Sequence, residues 1–270
     1  MPLAPKDGTE APKGRADASQ GAAASLLNGL RVLEAFRTGR PTLGVTEVAQ
    51  IVDLHKSTVS RILSGLAEAG YLERESETGR YRLGLGVIGL AGPLLAELDV
   101  RRLAQPALEA LTLQTRETSS LAVWNGTGAV VAEQVSSPQF VKHTAYIGTR
   151  YDRYESSSVR LFLAFLPEGS VSQLLETDQI SRSATSGLGT DVAGHLAEVR
   201  ARGLAFNDGY TDPQEFGVAA PVRDYRGAVV GCITLAAPRG RISPDQHEDL
   251  GHAVGLAAEK VTDRLGGARA

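Results

Sequence analysis

The chain has 270 residues, of which 42% are hydrophobic, and this is enough to fill the cores of one or two domains. Its formal net charge of -3 argues against a polycation that coats nucleic acid or an anionic membrane without regard to sequence, and it leaves specific DNA binding open. The single cysteine, Cys232, excludes a disulfide framework and a cysteine metal cluster, and it is typical of a reducing compartment.

The N-terminal region predicts neither a signal segment nor a membrane anchor. No apolar run approaches the roughly 20 residues that a membrane-spanning helix needs, and no basic start is joined to an apolar segment. We therefore expect a cytoplasmic protein with no membrane partner. Residues 1–23 mix Pro, Gly, Ala, Ser and alternating charges, so a flexible tail is predicted there, with a second short tail over residues 266–270.

Three short helices are predicted at the start of the first domain, residues 24–83. An amphipathic helix runs from Ser25, its predicted N-cap, to about Thr38, and Thr46 is predicted to cap the next helix. The third helix has apolar residues at the spacing of one buried face, namely Val59, Ile62, Leu63 and Leu66. The length of the turn between the second and third helices fits a helix-turn-helix.

The opposite face of the third helix carries small hydroxyls and a few cations. Hydroxyls can approach phosphates and base edges closely, and an arginine can make a bidentate contact to guanine. The predicted DNA contacts, including two arginines of the following hairpin, are Thr46, Lys56, Ser57, Thr58, Ser60, Arg61, Arg80 and Arg82. A small helical hairpin with a solvated polar face is the alternative interpretation.

A polar hairpin, or wing, is predicted after Gly70, which ends the third helix. The stretches Tyr71–Arg74 and Arg80–Leu83 alternate around a Ser-Glu-Thr-Gly turn, as the strands of a hairpin do. Acidic residues match the cations of this region, so its DNA affinity must come from where the cations sit and from pairing two copies.

The stretch over residues 84–98 is apolar on nearly every side. A short helix of this kind is most easily covered by a second copy of itself, so it is predicted to be a linker that dimerises, with Pro93 kinking or splitting it. Its Gly84, Gly86 and Gly89 match the spacing of a dinucleotide fingerprint, yet they follow a polar hairpin instead of a buried parallel strand. No cofactor is therefore expected.

The second predicted domain, residues 99–265, mixes helices with antiparallel hairpins and so belongs to the α+β class. Asp99 caps its first helix, in which Pro106 marks a restart. The predicted strands are Ser120–Trp124, Ala129–Glu133, Phe140–Tyr146, Val218–Val222 and Ala228–Ala236. The other predicted helices are Ser156–Phe165, Val171–Leu175, a helix from Asp191 to just before Gly203, and a C-terminal helix that Ser243, Pro244 and Gln246 cap and that runs to about Leu265.

Two stretches carry a family resemblance. They are LHKSTVSRILSGLAEAGYL followed by GRYRLG, and later GVAAPVRDYRGAVVGCITLAAPRGRIS. In this order they resemble the signatures of the IclR family of transcriptional regulators, and the match extends from about Ala24 to Leu265. The resemblance implies a winged helix-turn-helix joined by the linker helix to a GAF-like effector-binding domain with an antiparallel sheet. It also implies a double-stranded DNA operator beside a metabolic operon, a small-molecule effector such as an organic acid or an aromatic, and homodimers that often pair into tetramers.

The resemblance also implies an effector pocket. In the family, a loop and helix start rich in Ala and Gly lie over the ligand, and here the corresponding stretch from Tyr154 to Arg160 is more polar. Carried over position by position, the candidate effector contacts are Ser157, Ser158, Asn207, Gly217 and Thr234, with Asp208 and Trp124 behind them. In the alternative interpretation the serines cap a helix and Thr234 is an ordinary strand residue.

No catalytic or metal site is predicted. His247 and His252 are five residues apart, which is not the zinc-binding HExxH spacing, and the serine run at Ser157 lacks the G-x-S-x-G elbow of a hydrolase. Two other functions stay open. One is an enzyme or carrier with a vestigial DNA module, and the other is a regulator that binds DNA constitutively without ligand control.

Overall fold

A computed structural model describes residues 14–36, 41–97, 99–183, 185 and 187–267. The chain divides into two compact units between Pro93 and Leu94, within the stretch that the sequence assigns to the linker. The elements of the first unit are α1 (Gly14–Glu34), α2 (Val45–Val52), α3 (Lys56–Glu68), β1 (Leu72–Arg74), β2 (Tyr81–Leu83) and α4 (Gly86–Glu97), the last of which crosses the division.

The first unit is a winged helix-turn-helix. The two strands pair antiparallel as the wing, and the core joins α1, α2, α3 and the wing through Val32, Leu43, Val48, Val59, Leu63, Leu72 and Tyr81. Val59 and Leu63 are fully buried, and Ile62 and Leu66 pack against this core, as the apolar spacing of α3 predicts.

The structure corrects two predicted helix starts. α1 begins at Gly14, so Ser25 lies inside the helix, and residues 14–23 of the predicted tail are helical. α1 ends at Glu34, earlier than the predicted end near Thr38, which itself lies outside the described residues. Gly44 is the N-cap of α2 in place of Thr46, because the Glu47 carboxylate reaches back and accepts the Gly44 N–H at 2.7 Å. Pro93 does not split the linker helix, since it lies inside α4, and Pro106 lies inside α5 instead of marking a restart.

The second unit is an antiparallel sheet between two helical layers. Its elements are α5 (Asp99–Thr115), β3 (Thr118–Trp124), β4 (Ala129–Val135), β5 (Arg150–Tyr151), α6 (Ser157–Ala164), α7 (Glu168–Glu176), α8 (Val192–Arg202), β6 (Ala205–Asp208), β7 (Glu215–Arg223), β8 (Val229–Pro238) and α9 (His247–Arg264). The strand order is β5-β4-β3-β8-β7-β6. Leu121 joins the core beneath α5 and α9, whereas the next residue, Ala122, joins the core with α6, α7 and α8. The α+β prediction is confirmed.

Two strand predictions for this unit were wrong: one predicted strand is absent from the described residues, and one short strand was missed. Phe140–Tyr146 is not a strand, because the backbone there bonds to side chains: Thr118 Oγ1, for example, donates to the His143 carbonyl at 2.9 Å. The edge position belongs instead to β5, which pairs with β4. The short strand β6 was not predicted, since Asn207 and Asp208 both have low strand propensity.

The start of the C-terminal helix differs slightly from the prediction. Ser243 and Gln246 form the expected capping box, with the Ser243 N–H donating to Gln246 Oε1 at 2.9 Å. They cap a 3₁₀ turn over Pro244–Gln246, which leads directly into α9.

Candidate nucleic-acid interface and small-molecule pocket

The polar face of α3 is open to solvent. Lys56 and Arg61 are exposed, and within the described part of the chain neither has an ion-pair partner. His55 caps α3, because its Nδ1 accepts the Ser57 N–H at 3.3 Å and lies 2.8 Å from Ser57 Oγ. Ser57 and Thr46 are exposed, whereas Thr58 and Ser60 are half-buried. The capping role of His55 was missed, since histidine is not among the preferred N-cap residues.

The two arginines of the wing that are predicted to contact DNA, Arg80 and Arg82, are already paired with carboxylates. Arg80 Nη2 lies 2.7 Å from Glu47 Oε2 and also donates to the Thr42 carbonyl at 3.0 Å, so it fastens the wing to the start of α2. Arg82 Nη2 lies 2.6 Å from Glu73 Oε2, and both side chains are about half exposed. Exposed pairs of this kind contribute little stability, so a phosphate can replace the carboxylate at small cost.

A small cavity lies in the second unit between the start of α6 and the sheet. Its volume is about 30 Å³, room for one or two water molecules. Five of the predicted effector contacts line it: Ser157, Ser158, Asn207, Gly217 and Thr234. A Cβ atom added at Gly217 would lie 3.3 Å from Ser157 Oγ, so this glycine keeps part of the cavity open.

Hydroxyl and amide groups dominate the cavity wall. Ser120 Oγ lies 2.7 Å from Thr234 Oγ1 across neighbouring strands, and Ser156 Oγ lies 3.0 Å from Ser158 Oγ. Ser156 is the N-cap of α6, yet its hydroxyl makes no capping hydrogen bond. Asn207 Oδ1 accepts the N–H of Tyr210 at 2.9 Å, which fixes the amide. The serine hydroxyls therefore face the cavity and one another, and Ser156 does not cap the helix through its side chain.

Two predicted contacts lie elsewhere. Asp208 is not a lining residue of the cavity, and its Oδ1 accepts from Arg239 Nε at 2.6 Å beside an open groove. The Trp124 ring packs in the core, with its centroid 5.4 Å from that of Phe162 on α6. Strand alternation explains the placement of Asp208, because Asp208 and Asn207 point to opposite sides of β6.

Nine further lining residues were not predicted, and three of them carry ionisable side chains: His143, Tyr151 and Glu215. His143 Nδ1 lies 3.7 Å from Glu215 Oε1, and His143 Nε2 lies 3.3 Å from the Tyr151 hydroxyl. Burial, and then the charge of Glu215, raise the pKa of Tyr151 to about 12, so this phenol stays neutral at physiological pH. No local motif marks these residues, because the fold assembles them from an irregular segment and two strands.

The polar stretch before α6 is largely structural. Glu155 is fully buried, and its Oε1 accepts the Ser183 N–H at 2.7 Å. Arg160 is also buried, and its guanidinium donates to the carbonyl of Phe206 on β6, while burial lowers its pKa. These two side chains hold α6 in place without lining the cavity.

Other site classes find no support in the described part of the chain. No cluster of His, Cys, Asp and Glu there could hold a metal ion. None of the described helices combines the length and the apolar character that crossing a bilayer demands.

Comparison with known proteins settles the family. The IclR helix-turn-helix domain profile matches residues 25–76, and the profile described as bacterial transcriptional regulator IclR C-terminal matches residues 93–263. The chain belongs to the IclR family of transcriptional regulators. The resemblance is thus confirmed, and with it a DNA-binding helix-turn-helix domain and a C-terminal ligand-binding domain.

Relatives of this IclR-family chain are regulators. The acetate operon repressor of Salmonella typhimurium is 28% identical over 252 residues, which cover 91% of each chain. A solved domain of a putative IclR-family regulator is 44% identical, covers 64% of this chain and 99% of its own, and superposes with a TM-score of 0.60. An IclR homolog from Microbacterium hydrocarbonoxydans complexed with 4-hydroxybenzoate is 25% identical, covers 89% of this chain and 98% of its own, and has a TM-score of 0.73.

Proposed function

We propose that this IclR-family chain regulates a metabolic operon by binding a specific double-stranded DNA operator as a homodimer or a dimer of dimers, under the control of a small-molecule effector. The observation that carries the proposal is the exposed face of α3, where Lys56 and Arg61 have no ion-pair partner among the residues that the structure describes. In a helix-turn-helix, this helix enters the major groove and its first residues reach the base edges.

Exposed apolar side chains on α4, and on Leu85 just before it, support the pairing of two copies. Leu85, Ile88, Leu90 and Leu94 are each more than 60% exposed in the single chain. A row of exposed apolar side chains marks an interaction surface, and a second copy of the same helix offers a matching one. The balanced charge of the winged unit predicts weak binding of DNA by one copy. Joining two copies raises the overall affinity, because the second unit then binds at a high effective concentration.

The effector is proposed to act through the serine-lined cavity. A ligand can shift the equilibrium between two arrangements of the winged units only if it binds one arrangement more tightly than the other. The size of the shift equals the difference between the two binding free energies. 4-Hydroxybenzoate, which the Microbacterium relative binds, is a reasonable first probe because it is both an acid and an aromatic.

The size of the cavity favours a second candidate, a constitutive DNA binder without ligand control. Small-molecule sites usually enclose about 300–1,000 Å³, whereas this cavity encloses about 30 Å³. Control by an effector therefore requires that the cavity become larger. If it cannot, the chain is a constitutive DNA binder.

Arg61→Ala is expected to lower the affinity for the operator by about 1–3 kcal/mol, because a bidentate contact to a base is lost. Binding to DNA of unrelated sequence should change much less. A gel-shift titration at one fixed salt concentration measures both. Lys260→Ala, which removes an exposed cation on α9 in the second unit, is the matched control. Operator affinity equal to that of the wild type would remove Arg61 from base recognition.

Glu73→Gln is expected to strengthen DNA binding and to steepen its salt dependence, since Arg82 is released for a phosphate. Each additional phosphate contact steepens the slope of log K against log salt by about 0.9. Glu77→Gln changes the net charge equally in the same wing, yet Glu77 has no ion pair with either wing arginine. A slope change of equal size in both variants would show that only bulk charge matters.

A further inference from the structure

We propose that the effector site consists of two compartments, the serine-lined cavity and the open groove beside it, and that the effector is an elongated molecule with a neutral hydrogen-bonding head and an apolar body. His143 and Glu215 form the gate between the compartments. The inference rests on the proposed function, and it names the class of ligand that would control it.

The two compartments are adjacent. The groove has a volume of about 960 Å³ and runs along the 139–147 segment, the ends of β7 and β8 and the start of the C-terminal helix. It shares His143 and Glu215 with the small cavity, so these two side chains form the wall between them. The groove is large enough for an organic ligand, and the cavity has room only for one functional group.

The gate can open without a change in the backbone. The carbonyl of His143 is held by Thr118 Oγ1 at 2.9 Å. Among the described residues, its imidazole has only the 3.7 Å contact to Glu215 and the 3.3 Å contact to Tyr151. Rotation of one side chain, which is fast in proteins, therefore joins the cavity to the groove. Glu215 stays in place, because its Oε2 accepts from Thr211 Oγ1 at 2.7 Å.

The cavity favours a neutral head that donates hydrogen bonds. None of its described lining residues is Lys or Arg, whereas Glu215 places a carboxylate in the wall. A carboxylate head would lose its hydration and face a like charge, which costs free energy without a cation to offset it. An amide, alcohol or phenol can donate to Glu215 and also bond with Asn207 and the serine hydroxyls.

The groove favours an apolar body. Its apolar lining residues are Val141, Pro213, Ala237, Pro238, Ile242 and Pro244. Both Lys and Arg side chains among its described lining residues already have partners: Arg239 is paired with Asp208, and Lys142 Nζ donates to the Ser137 carbonyl at 3.0 Å. By this arrangement 4-hydroxybenzoate would place its phenol hydroxyl in the cavity and its carboxylate toward the groove.

Three probes of known structure separate head from body: hexanamide, hexanoate and acetamide. Calorimetric titration of the full chain at pH 8 gives the dissociation constants, with acetamide measured by displacement of hexanamide. Hexanamide is expected to bind at least tenfold more tightly than hexanoate, and at least tenfold more tightly than acetamide because each buried methylene adds roughly two- to fourfold. Equal binding of hexanamide and hexanoate, or no binding of hexanamide, would overturn the proposal.

Two variants assign the preferences to their compartments. Glu215→Gln should narrow the gap between hexanamide and hexanoate at least threefold, since it removes the like charge. Val141→Asp should narrow the gap between hexanamide and acetamide by a similar factor, whereas Ile147→Asp, an exposed position in the same segment outside the groove, should leave it unchanged. Equal effects of the two aspartates would contradict a body held in the groove.

The same protein is tested for operator binding without any probe. Operator binding combined with failure of the probe predictions would overturn the two-compartment site and leave the DNA-binding proposal standing. Loss of operator binding in the wild type would overturn the proposed function itself, whatever the probes show.

Discussion

Leu90→Asp is expected to lower the affinity of this regulator for its operator about 10²- to 10⁴-fold, because the two winged units would no longer bind as a pair. Leu90 is 67% exposed in the single chain and lies on α4 among other exposed apolar residues. In a dimer, the substitution would bury two carboxylates at an apolar interface with no cation to offset them. The winged unit itself should fold normally, since Leu90 does not belong to its core.

Sedimentation and gel-shift titrations measure this effect together. The variant should sediment as a smaller species than the wild type. Its affinity for the whole operator should be no higher than its affinity for a DNA fragment that contains one half-site. Leu113→Asp is the matched control, because Leu113 is 83% exposed on α5 in the second unit and lies outside α4. A Leu90→Asp protein that sediments like the wild type and binds the operator equally well would show that α4 does not join the two copies.

The fold of the winged unit could be predicted from local patterns. The apolar spacing of α3 determines which side is buried, and that also determines which side carries Arg61 and Lys56. The pairing of the wing arginines could not be predicted. Charge counting shows that cations and carboxylates balance, but only the antiparallel register places Arg82 opposite Glu73.

The cavity was predictable only in part, because its walls come from distant parts of the chain. The β3–β8 register places Ser120 opposite Thr234, and the β6–β7 register places Asn207 opposite Gly217. The family resemblance supplied most of these positions without the register. It could not supply His143, which sits on a segment predicted to be a strand, where its side-chain direction would have been assigned by alternation.

Arg241→Ala is expected to lower the free energy of unfolding of the second unit by about 2–4 kcal/mol. Arg241 holds Glu117 with two hydrogen bonds, Nε to Oε1 at 2.5 Å and Nη2 to Oε2 at 2.9 Å. The Glu117 side chain is only 4% exposed, so loss of its partner leaves a buried charge without compensation, and breaking fully buried pairs costs about 3–5 kcal/mol. Arg241 is itself about one third exposed, and water can then reach part of the site, which lowers the expected cost.

Denaturant unfolding followed by circular dichroism measures this change, and the protein offers two comparisons. Arg239→Ala removes a more exposed pair with Asp208 and should destabilise the protein much less. Glu117→Gln combined with Arg241→Ala should recover most of the loss, because the buried group is then neutral. Equal destabilisation by the single and double variants would assign the effect to lost packing and to the Val141 carbonyl, which Arg241 also bonds at 2.9 Å. Since Val141 lines the groove, that outcome would make Arg241 a support of the groove wall more than a partner of Glu117.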